Sequence, residues 1–347
     1  MNSRKKVAVA LSGGVDSAVV ALLLKEQGYD VIGITGKMTC SEDSEQVARN
    51  AQNVAQKLNI PHYIVDVNKE FYSNVIQYFE NSYKLGQTPN PCIMCNQYIK
   101  WGTILDYAIN ELGADFIATG HYANIKIENN IYKLYPASDE HKDQLYFLFM
   151  LNQEALAKTL FPLSSYKKEE VKKLAIKYDL PPKSAKESQD ICFIKPPMTT
   201  KKYLTGVLEA STGNFVEKST GKILGKHDGY WQYTIGQRKG IGLAAPEALY
   251  VIDIDANSNT VFVGYKKDLK TNQLFLSKIN WSYSFEKEDF EALVKIRYNM
   301  KAVRSQIKKL ENSWQITFSE PIYGIAKGQA CVIYDLDDGH LLGGSFI

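Results

Sequence analysis

The stretch that most narrows the fold is VAVALSGGVDSAVVALLL, residues 7–24. VAVAL (7–11) has the apolar character of a buried strand. Residues 16–27 carry apolar side chains at helical spacing, and Gly28 stops them. Two glycines, two hydroxyls and one acid lie between. Gly13 and Gly14 permit backbone conformations barred to other residues and let N–H groups approach a ligand closely. The helix that follows presents its positive end to an anion. Ser12 and Ser17 offer hydroxyls, and Asp16 could hold Mg²⁺ beside phosphates. The lysine of a Walker loop is absent, and the dinucleotide fingerprint does not fit. The plain structural alternative is a tight turn with Asp16 as a helix cap.

The alternation continues. VIGIT (31–35), YIVDV (63–67) and DFIATG (115–120) read as strands, with helices expected over 43–58, 69–83 and 97–112. A CxxC loop, NPCIMCN (90–96), precedes the last of these. Strands separated by helices of this length predict a parallel sheet covered on both faces. Asn129-Asn130 between IKI and IYKLY predicts a hairpin, and two further helices are expected near 143–158 and 167–178. After about residue 195 the pattern changes. LYVIDI, TVFVGY, ALVKIRY, WQITFS and ACVIYDL are short, rich in valine, isoleucine and tyrosine, and bounded by turn signals, which predicts a small β domain and then a β-barrel. The expected boundaries are 1–197, 198–268 and 269–347. A chain of 347 residues has room for three cores.

Composition excludes some classes. With 45% hydrophobic and 23% charged residues the chain reads as a globular protein. The apolar run near the N-terminus is short and enters a glycine turn, so neither a signal peptide nor a membrane helix is expected. Five cysteines, an odd count, do not make a disulfide framework, so a reducing cytoplasm is the expected setting. There, Cys92 and Cys95 read as metal-binding or catalytic. A net charge of +3 says little about partners. Local clusters say more: Lys167, Lys168, Lys172, Lys173, Lys177, Lys183 and Lys186 in one region, and Lys295, Arg297, Lys301 and Arg304 around Tyr298 in another. Such clusters bind phosphates, although Glu169 and Glu170 dilute the first, which could equally be a solvated helix face.

SGGVDS at the end of the first strand resembles the pyrophosphate loop of the PP-loop ATP pyrophosphatases. TPNPCIMCN (88–96), ATGHY (118–122), KDQLYFL (142–148), SQDICFI (188–194) and YTIGQRKGIGL (233–243) follow in order. Together they resemble the tRNA-specific 2-thiouridylases, the MnmA family, and the likeness runs from residue 6 to the closing PIYGIAKGQACVIYDLDDGHLLGGSFI.

The resemblance implies a PP-loop domain followed by two β domains, with ATP and Mg²⁺ as cofactors and tRNA as substrate. A sulfur-donor protein is the implied partner, with no membrane and no DNA involved. It implies an ATP site of Ala10, Leu11, Ser12, Gly13, Gly14, Val15, Asp16 and Ser17 with Gly36 and Gly120. It implies contacts to the base or the tRNA from Asn90, Pro91, Cys92, Lys142, Asp143, Gln144, Arg297, Tyr298 and Gln329. His121, just after the fourth strand, can face the substrate or make a loop contact without a catalytic role. Cys192 matches the cysteine that carries a persulfide, and Cys95 its partner. Cys92 departs from the better-known subtype, which has aspartate there. Three thiols leave three readings open: a persulfide relay, a [4Fe–4S] cluster on Cys92, Cys95 and Cys192, or zinc. Cys40 is a further candidate for the site, whereas Cys331, alternating within a strand, reads as a small core residue. The alternatives to a 2-thiouridylase are another PP-loop tRNA thiolase, of the 2-thiocytidine type, and a non-catalytic, metal-stabilised RNA-binding protein.

Overall fold

The computed structural model describes residues 4–39, 41–181 and 191–347. Cys40, Lys183 and Lys186 therefore lie outside the described residues, as do the first three residues of SQDICFI.

The first strand, β1 (Lys6–Ala10), is followed by α1 (Val15–Glu26), β2 (Asp30–Lys37), α2 (Glu42–Leu58) and β3 (His62–Asp66). Local chemistry sets these boundaries. Ser41 caps α2 by accepting the Ser44 amide at 3.3 Å, three acids occupy its first turn, and Asn59 ends it in the left-handed conformation. The helix expected over 69–83 is α3 (Asn68–Phe71), which runs through a π-helical turn at Tyr72–Ile76 into α4 (Gln77–Lys84). Then α5 (Pro91–Met94) passes through a π-helical stretch, Cys95–Ile104, into α6 (Leu105–Asn110), with a break at Gly102.

Next come β4 (Phe116–Ala118) and the hairpin of β5 (Asn124–Glu128) and β6 (Ile131–Tyr135). Asn129 and Asn130 both have positive φ, as a tight hairpin turn requires. The single helix expected near 143–158 does not form. A short 3₁₀ turn (Leu145–Leu148) is followed by α7 (Gln153–Ala157) and the two-residue strand β7 (Thr159–Leu160). Asn152 caps α7 by accepting the Ala155 amide, so the chain restarts there. After α7 the chain pairs with β4 in parallel. The sheet thus has five parallel strands in the order β3-β2-β1-β4-β7, where four had been expected. Its α/β architecture agrees with the sequence reading. Helix α8 (Lys168–Lys177) lies along α1, burying Val171 and Ala175 in the same core as Ala18 to Leu24.

Beyond α9 (Thr200–Thr205) the fold is β-rich. A four-stranded sheet contains β8 (Gly213–Glu217), β9 (Ile223–His227), β10 (Tyr250–Asp255) and β11 (Thr260–Gly264). A seven-stranded, curled half-barrel follows, with strands β12 (Lys270–Leu276), β13 (Asn280–Trp281), β14 (Asp289–Lys295), β15 (Val303–Lys309), β16 (Trp314–Tyr323), β17 (Ala330–Tyr334) and β18 (Leu341–Phe346). One face of this sheet has its own core, in which Cys331 is completely buried. The other face packs Ala330, Val332, Tyr334 and Leu341 into the core of the parallel-sheet region, against Tyr146 and Phe149. No helix among the described residues is long and apolar enough to cross a membrane.

Candidate active site

In the order β3-β2-β1-β4-β7, the chain runs outward from β1 through β2 to β3, then crosses back to β4 on the other side of β1, so the strand order reverses between β1 and β4. Ligands bind at such a switch point, beyond the C-terminal strand ends. The SGGVDS loop stands there. Gly13 has φ +71°, and a Cβ on it would lie 2.9 Å from the Val47 carbonyl oxygen and the Asn50 Cβ, so only glycine fits. Gly14 begins α1 without any side-chain cap, which leaves the amides of the first turn for another acceptor. Ser17 Oγ binds within the loop, donating to the Gly14 carbonyl at 3.1 Å and accepting from the Ser12 amide at 3.2 Å. Gly120 ends β4 against the same helix, where a Cβ would meet Asp16 Cβ at 3.0 Å and the Ser17 nitrogen at 3.1 Å. The loop therefore fits a phosphate group by its backbone. Gly36 has a different reason to be glycine: a Cβ there would lie 2.9 Å from Ile104 Cδ1.

Asp16 is already engaged. Both carboxylate oxygens accept from Lys168 Nζ, at 2.7 and 2.6 Å, and Oδ1 also accepts from the Tyr122 hydroxyl at 3.1 Å. Lys168 is buried, unlike the exposed Lys167, Lys172, Lys173 and Lys177 around it. It therefore belongs neither to a solvated face nor to an outward basic patch. A chain without a Walker lysine brings an ammonium to its phosphate loop from α8.

The CxxC segment is helical, contrary to the loop expected from NPCIMCN. Asn90 caps α5, its side-chain oxygen accepting the Cys92 amide at 3.2 Å, and Pro91 takes the first position, where its missing N–H costs nothing. Cys92 is exposed at this helix start and Cys95 is buried one turn on. Cys192 reaches the same place from a distant turn. Its neighbour Phe193 packs edge-on against Phe71, Phe79 and Tyr203, at 5.9, 5.3 and 5.9 Å, which fixes the turn over α3 and α4. The three thiols lie within electrostatic reach of one another. Burial pushes Cys95 up to about 11, with opposition from Lys100 and a smaller push from Cys92. Although Cys92 and Cys192 reach the surface, the protein packed around them keeps much of the water away: this desolvation raises both, and the neighbouring thiols add to it at Cys192.

Sequence reasoning missed Lys100, the cation that favours all three thiolates. Its ammonium donates to Asn96 Oδ1 at 2.9 Å and to His121 Nε2 at 3.3 Å. Because an ammonium cannot accept, His121 Nε2 is the acceptor, and Nδ1–H donates to Thr119 Oγ1 at 2.8 Å. His121 is buried against Trp101 and Phe161. Desolvation, and then Lys100, hold its pKa well below 6.5. It is thus a neutral, doubly bonded ring joining the thiol segment to Gly120 and the phosphate loop. Only the offset of Lys100 from Cys95 along one continuous helix could have pointed to it, and the sequence reads as a loop at Cys95 with the helix starting only at residue 97.

Among the described residues, the one group of three histidine, cysteine or acidic side chains with ligand atoms within 4.8 Å of one another is Asp335, Asp338 and His340. Both imidazole nitrogens there are taken, by Asp338 and Tyr283. The three thiols do not form such a group, whereas tetrahedral zinc at ~2.3 Å from sulfur would bring them to about 3.8 Å of one another. Zinc does not fit them as placed.

The expected tRNA contacts fall into two kinds. Arg297 is exposed, its guanidinium donating to the Tyr323 carbonyl at 2.9 Å. Asp143 and Gln144 have internal partners: the Asp143 carboxylate accepts the Ala137 and Leu145 amides, and Gln144 pairs with the Tyr122 backbone. Desolvation raises the Asp143 pKa. Tyr298 donates to the Asp143 carbonyl at 3.1 Å and packs on Phe147. Lys142 lies in the turn after Asp139. Gln329 donates to the Thr88 carbonyl at 2.7 Å. Arg304 pairs with Glu291 at 2.6 Å, which lessens its contribution to the basic patch.

Known proteins agree with this assembly. Residues 5–196 match the family model described as tRNA methyl transferase HUP domain, 201–265 the tRNA methyl transferase PRC-barrel domain, and 271–347 the aminomethyltransferase β-barrel domain. These define a three-part tRNA-modifying enzyme built on a nucleotide-binding sheet. The chain is 42% identical to a tRNA-specific 2-thiouridylase of Rippkaea orientalis over 99% of both chains. It is also 42% identical to one of Clostridium acetobutylicum with the same coverage. The chain belongs to the tRNA-specific 2-thiouridylase family and is an ATP-dependent tRNA sulfurtransferase. The family descriptions speak of methyl transfer; the full-length relatives are tRNA thiouridylases, and the phosphate loop suits their use of ATP. The U34-tRNA thiolase NcsA from Methanococcus maripaludis, solved with its [4Fe–4S] cluster, overlays 58% of this chain and 64% of its own at 23% identity. The TM-score of 0.38 is too low for its cluster to bear on this chain.

Proposed function

We propose that the enzyme thiolates C2 of the wobble uridine in a cleft between the phosphate loop and the three thiols. The observation that carries this reading is the chain of contacts joining the two. Asp16 abuts Gly120, His121 follows, and Lys100 links His121 to the helix bearing Cys92 and Cys95. The backbone from Ala10 to Ser17 with Gly120 would cradle the ATP phosphates. Asp16, released from Lys168, would hold Mg²⁺, which neutralises phosphate charge when bound. Gly36 is the weakest member of that set, since packing alone accounts for it. The C2 oxygen attacks the α-phosphorus and pyrophosphate leaves. Sulfur then attacks C2, and AMP takes the oxygen away.

Two chemistries could use the thiols. In a relay, Cys192 carries a persulfide supplied by a sulfur-donor protein. Its outer sulfur goes to C2, Cys95 closes a disulfide with Cys192, and an external dithiol reduces it. The exposure of Cys192 and the burial of Cys95 favour this division of labour. A [4Fe–4S] cluster also fits the donor set, since Cys92, Cys95 and Cys192 could hold three irons and leave the fourth open to sulfide. Cys92→Asp separates the two readings. In a relay it keeps substantial activity without iron. In a cluster a carboxylate holds iron less well than a thiolate, and both iron and activity fall. Full single-turnover thiolation by iron-free, persulfide-loaded protein would rule out the cluster. A cytoplasmic setting without membrane or DNA, and tRNA binding by the central and C-terminal domains through Arg297 and the exposed lysines, complete the reading.

A further inference from the structure

The segment between α4 and α5, residues 85–90, leads into the helix that carries Cys92 and Cys95. A free loop would leave that helix start mobile. Here its backbone is completed by other parts of the fold. The Thr88 amide donates to the Lys327 carbonyl at 2.8 Å, and the Thr88 carbonyl accepts Gln329 Nε2 at 2.7 Å. Both peptide groups of this residue are therefore satisfied by the C-terminal half-barrel. Between Lys327 and Gln329 stands Gly328, with φ +88°. A Cβ on it would meet Gln87 Cβ at 3.0 Å and the Thr88 nitrogen at 3.1 Å, so the two segments lie backbone against backbone. The half-barrel side of this contact is itself fixed. Ala330 exchanges hydrogen bonds with the buried Tyr146 hydroxyl in both directions, at 2.8 and 3.2 Å. The central domain holds the same segment from the other side. Thr88 Oγ1 bonds Thr234 Oγ1 at 3.2 Å, the Tyr230 hydroxyl donates to the Lys84 carbonyl, and Gly86 packs on Ile254.

We propose that Gln329 is a positioning residue for the sulfur chemistry: through Thr88, it and Gly328 make the half-barrel the element that sets the Cys92–Cys95 helix start. This rests on reading those cysteines as the reactive thiols. It gives Gln329 a role in the tRNA-free enzyme that contact with tRNA alone would not. The half-barrel thus both meets the substrate and holds the segment that reacts with it.

The test uses the full chain. Gln329→Met keeps the side chain's length and removes its donor. Alkylation of each cysteine by iodoacetamide is followed by mass spectrometry without tRNA, with Cys331, in the half-barrel core, reporting global unfolding. The expected result is faster labelling of Cys95 by about fivefold, the worth of one neutral hydrogen bond, with Cys331 unchanged. At saturating tRNA, where a lost substrate contact is made up by concentration, the single-turnover rate falls by a similar factor. Gly328→Ala, which forces the segments apart, should act in the same direction, and it keeps the test alive should the first variant fold poorly. Unchanged Cys95 labelling in both variants overturns the proposal whatever happens to turnover, and a loss confined to tRNA Kd would return Gln329 to the role of substrate contact. Labelling reads access alone. Normal turnover by Cys95→Ser would therefore sink the reading of the thiols and leave the positioning result standing.

Discussion

The pair between Lys168 and Asp16 lets burial be turned into a number. The Lys168 side chain is 9% exposed and that of Asp16 30%, with Nζ 2.6–2.7 Å from both oxygens. Removing one partner of a fully buried pair costs ~3–5 kcal/mol, and an exposed pair is worth ~0–1 kcal/mol. In Lys168→Met, the Tyr122 hydroxyl still bonds Asp16. The N-terminal end of α1 still favours its charge by ~0.3–1 kcal/mol. Partial exposure and these two partners place the expected loss at about 2 kcal/mol. The coupling between Lys168→Met and Asp16→Asn in a double-mutant cycle should be about 1–2 kcal/mol. Hydrogen exchange of the α1 amides is the suitable assay, because a three-domain chain has no single unfolding transition and α1 reports the local one. A coupling below about 0.5 kcal/mol would place the pair with surface ion pairs and refute the argument from burial.

Other outcomes follow from the same geometry. Asp16→Ala should abolish pyrophosphate release while leaving tRNA binding largely intact; normal turnover in that variant would remove Asp16 from the ATP site. Arg297→Ala with Lys301→Ala should weaken tRNA binding and lower the salt slope by roughly one for each phosphate no longer neutralised, so an unchanged slope would move the tRNA interface elsewhere. A pH dependence follows from His121. Its folded pKa lies below the unfolded value of 6.5, so the unfolded chain takes up the proton first. The stability of the neutral ring is complete above about pH 6.5 and is lost as pH falls toward the folded pKa. His121→Gln should flatten that slope in the local stability read by hydrogen exchange of the Ile117 and Ala118 amides from pH 7 to 5, with His62, in the same sheet and shifted the same way by burial, supplying part of what remains.

How much of this was legible depends on the range of the interaction that decides each element. Alternation of strand and helix, the glycine loop and the Asn129-Asn130 turn are set within a few residues, and all were readable. The strand Thr159–Leu160 was not. Two residues carry no period, and they are a strand only because β4 has a free edge beside them. The helix around Cys92 and Cys95 was hidden because Asn90-Pro91 reads equally as a turn and as a cap followed by a first-turn proline. Lys168 was misjudged for a related reason. Its neighbours are exposed, and only the packing of α8 on α1 selects this lysine for Asp16. The thiol group was legible through family resemblance alone, since nothing local links Cys192 to Cys95.

These failures share a physical cause that bears on how the enzyme works. The contacts not legible in the sequence are those between distant segments: Lys168 on the phosphate loop, Lys100 on His121, and Gln329 on Thr88. Each ties a part with a recognisable motif to one without. An enzyme that must adenylate a base and then deliver sulfur to the same carbon needs its phosphate loop and its thiols at a fixed separation, since a misplacement of about 1 Å can cost a hundredfold in rate. Neither motif can fix that distance by itself. The neutral His121 ring, locked between Thr119 and Lys100, spans it on one side. The Thr88 junction, held by two further domains, fixes the helix start on the other. Cys192 is the exposed cysteine outside that helix, so the anchoring of Cys92 and Cys95 leaves it unconstrained by either tie, as the proposed relay requires of a sulfur carrier.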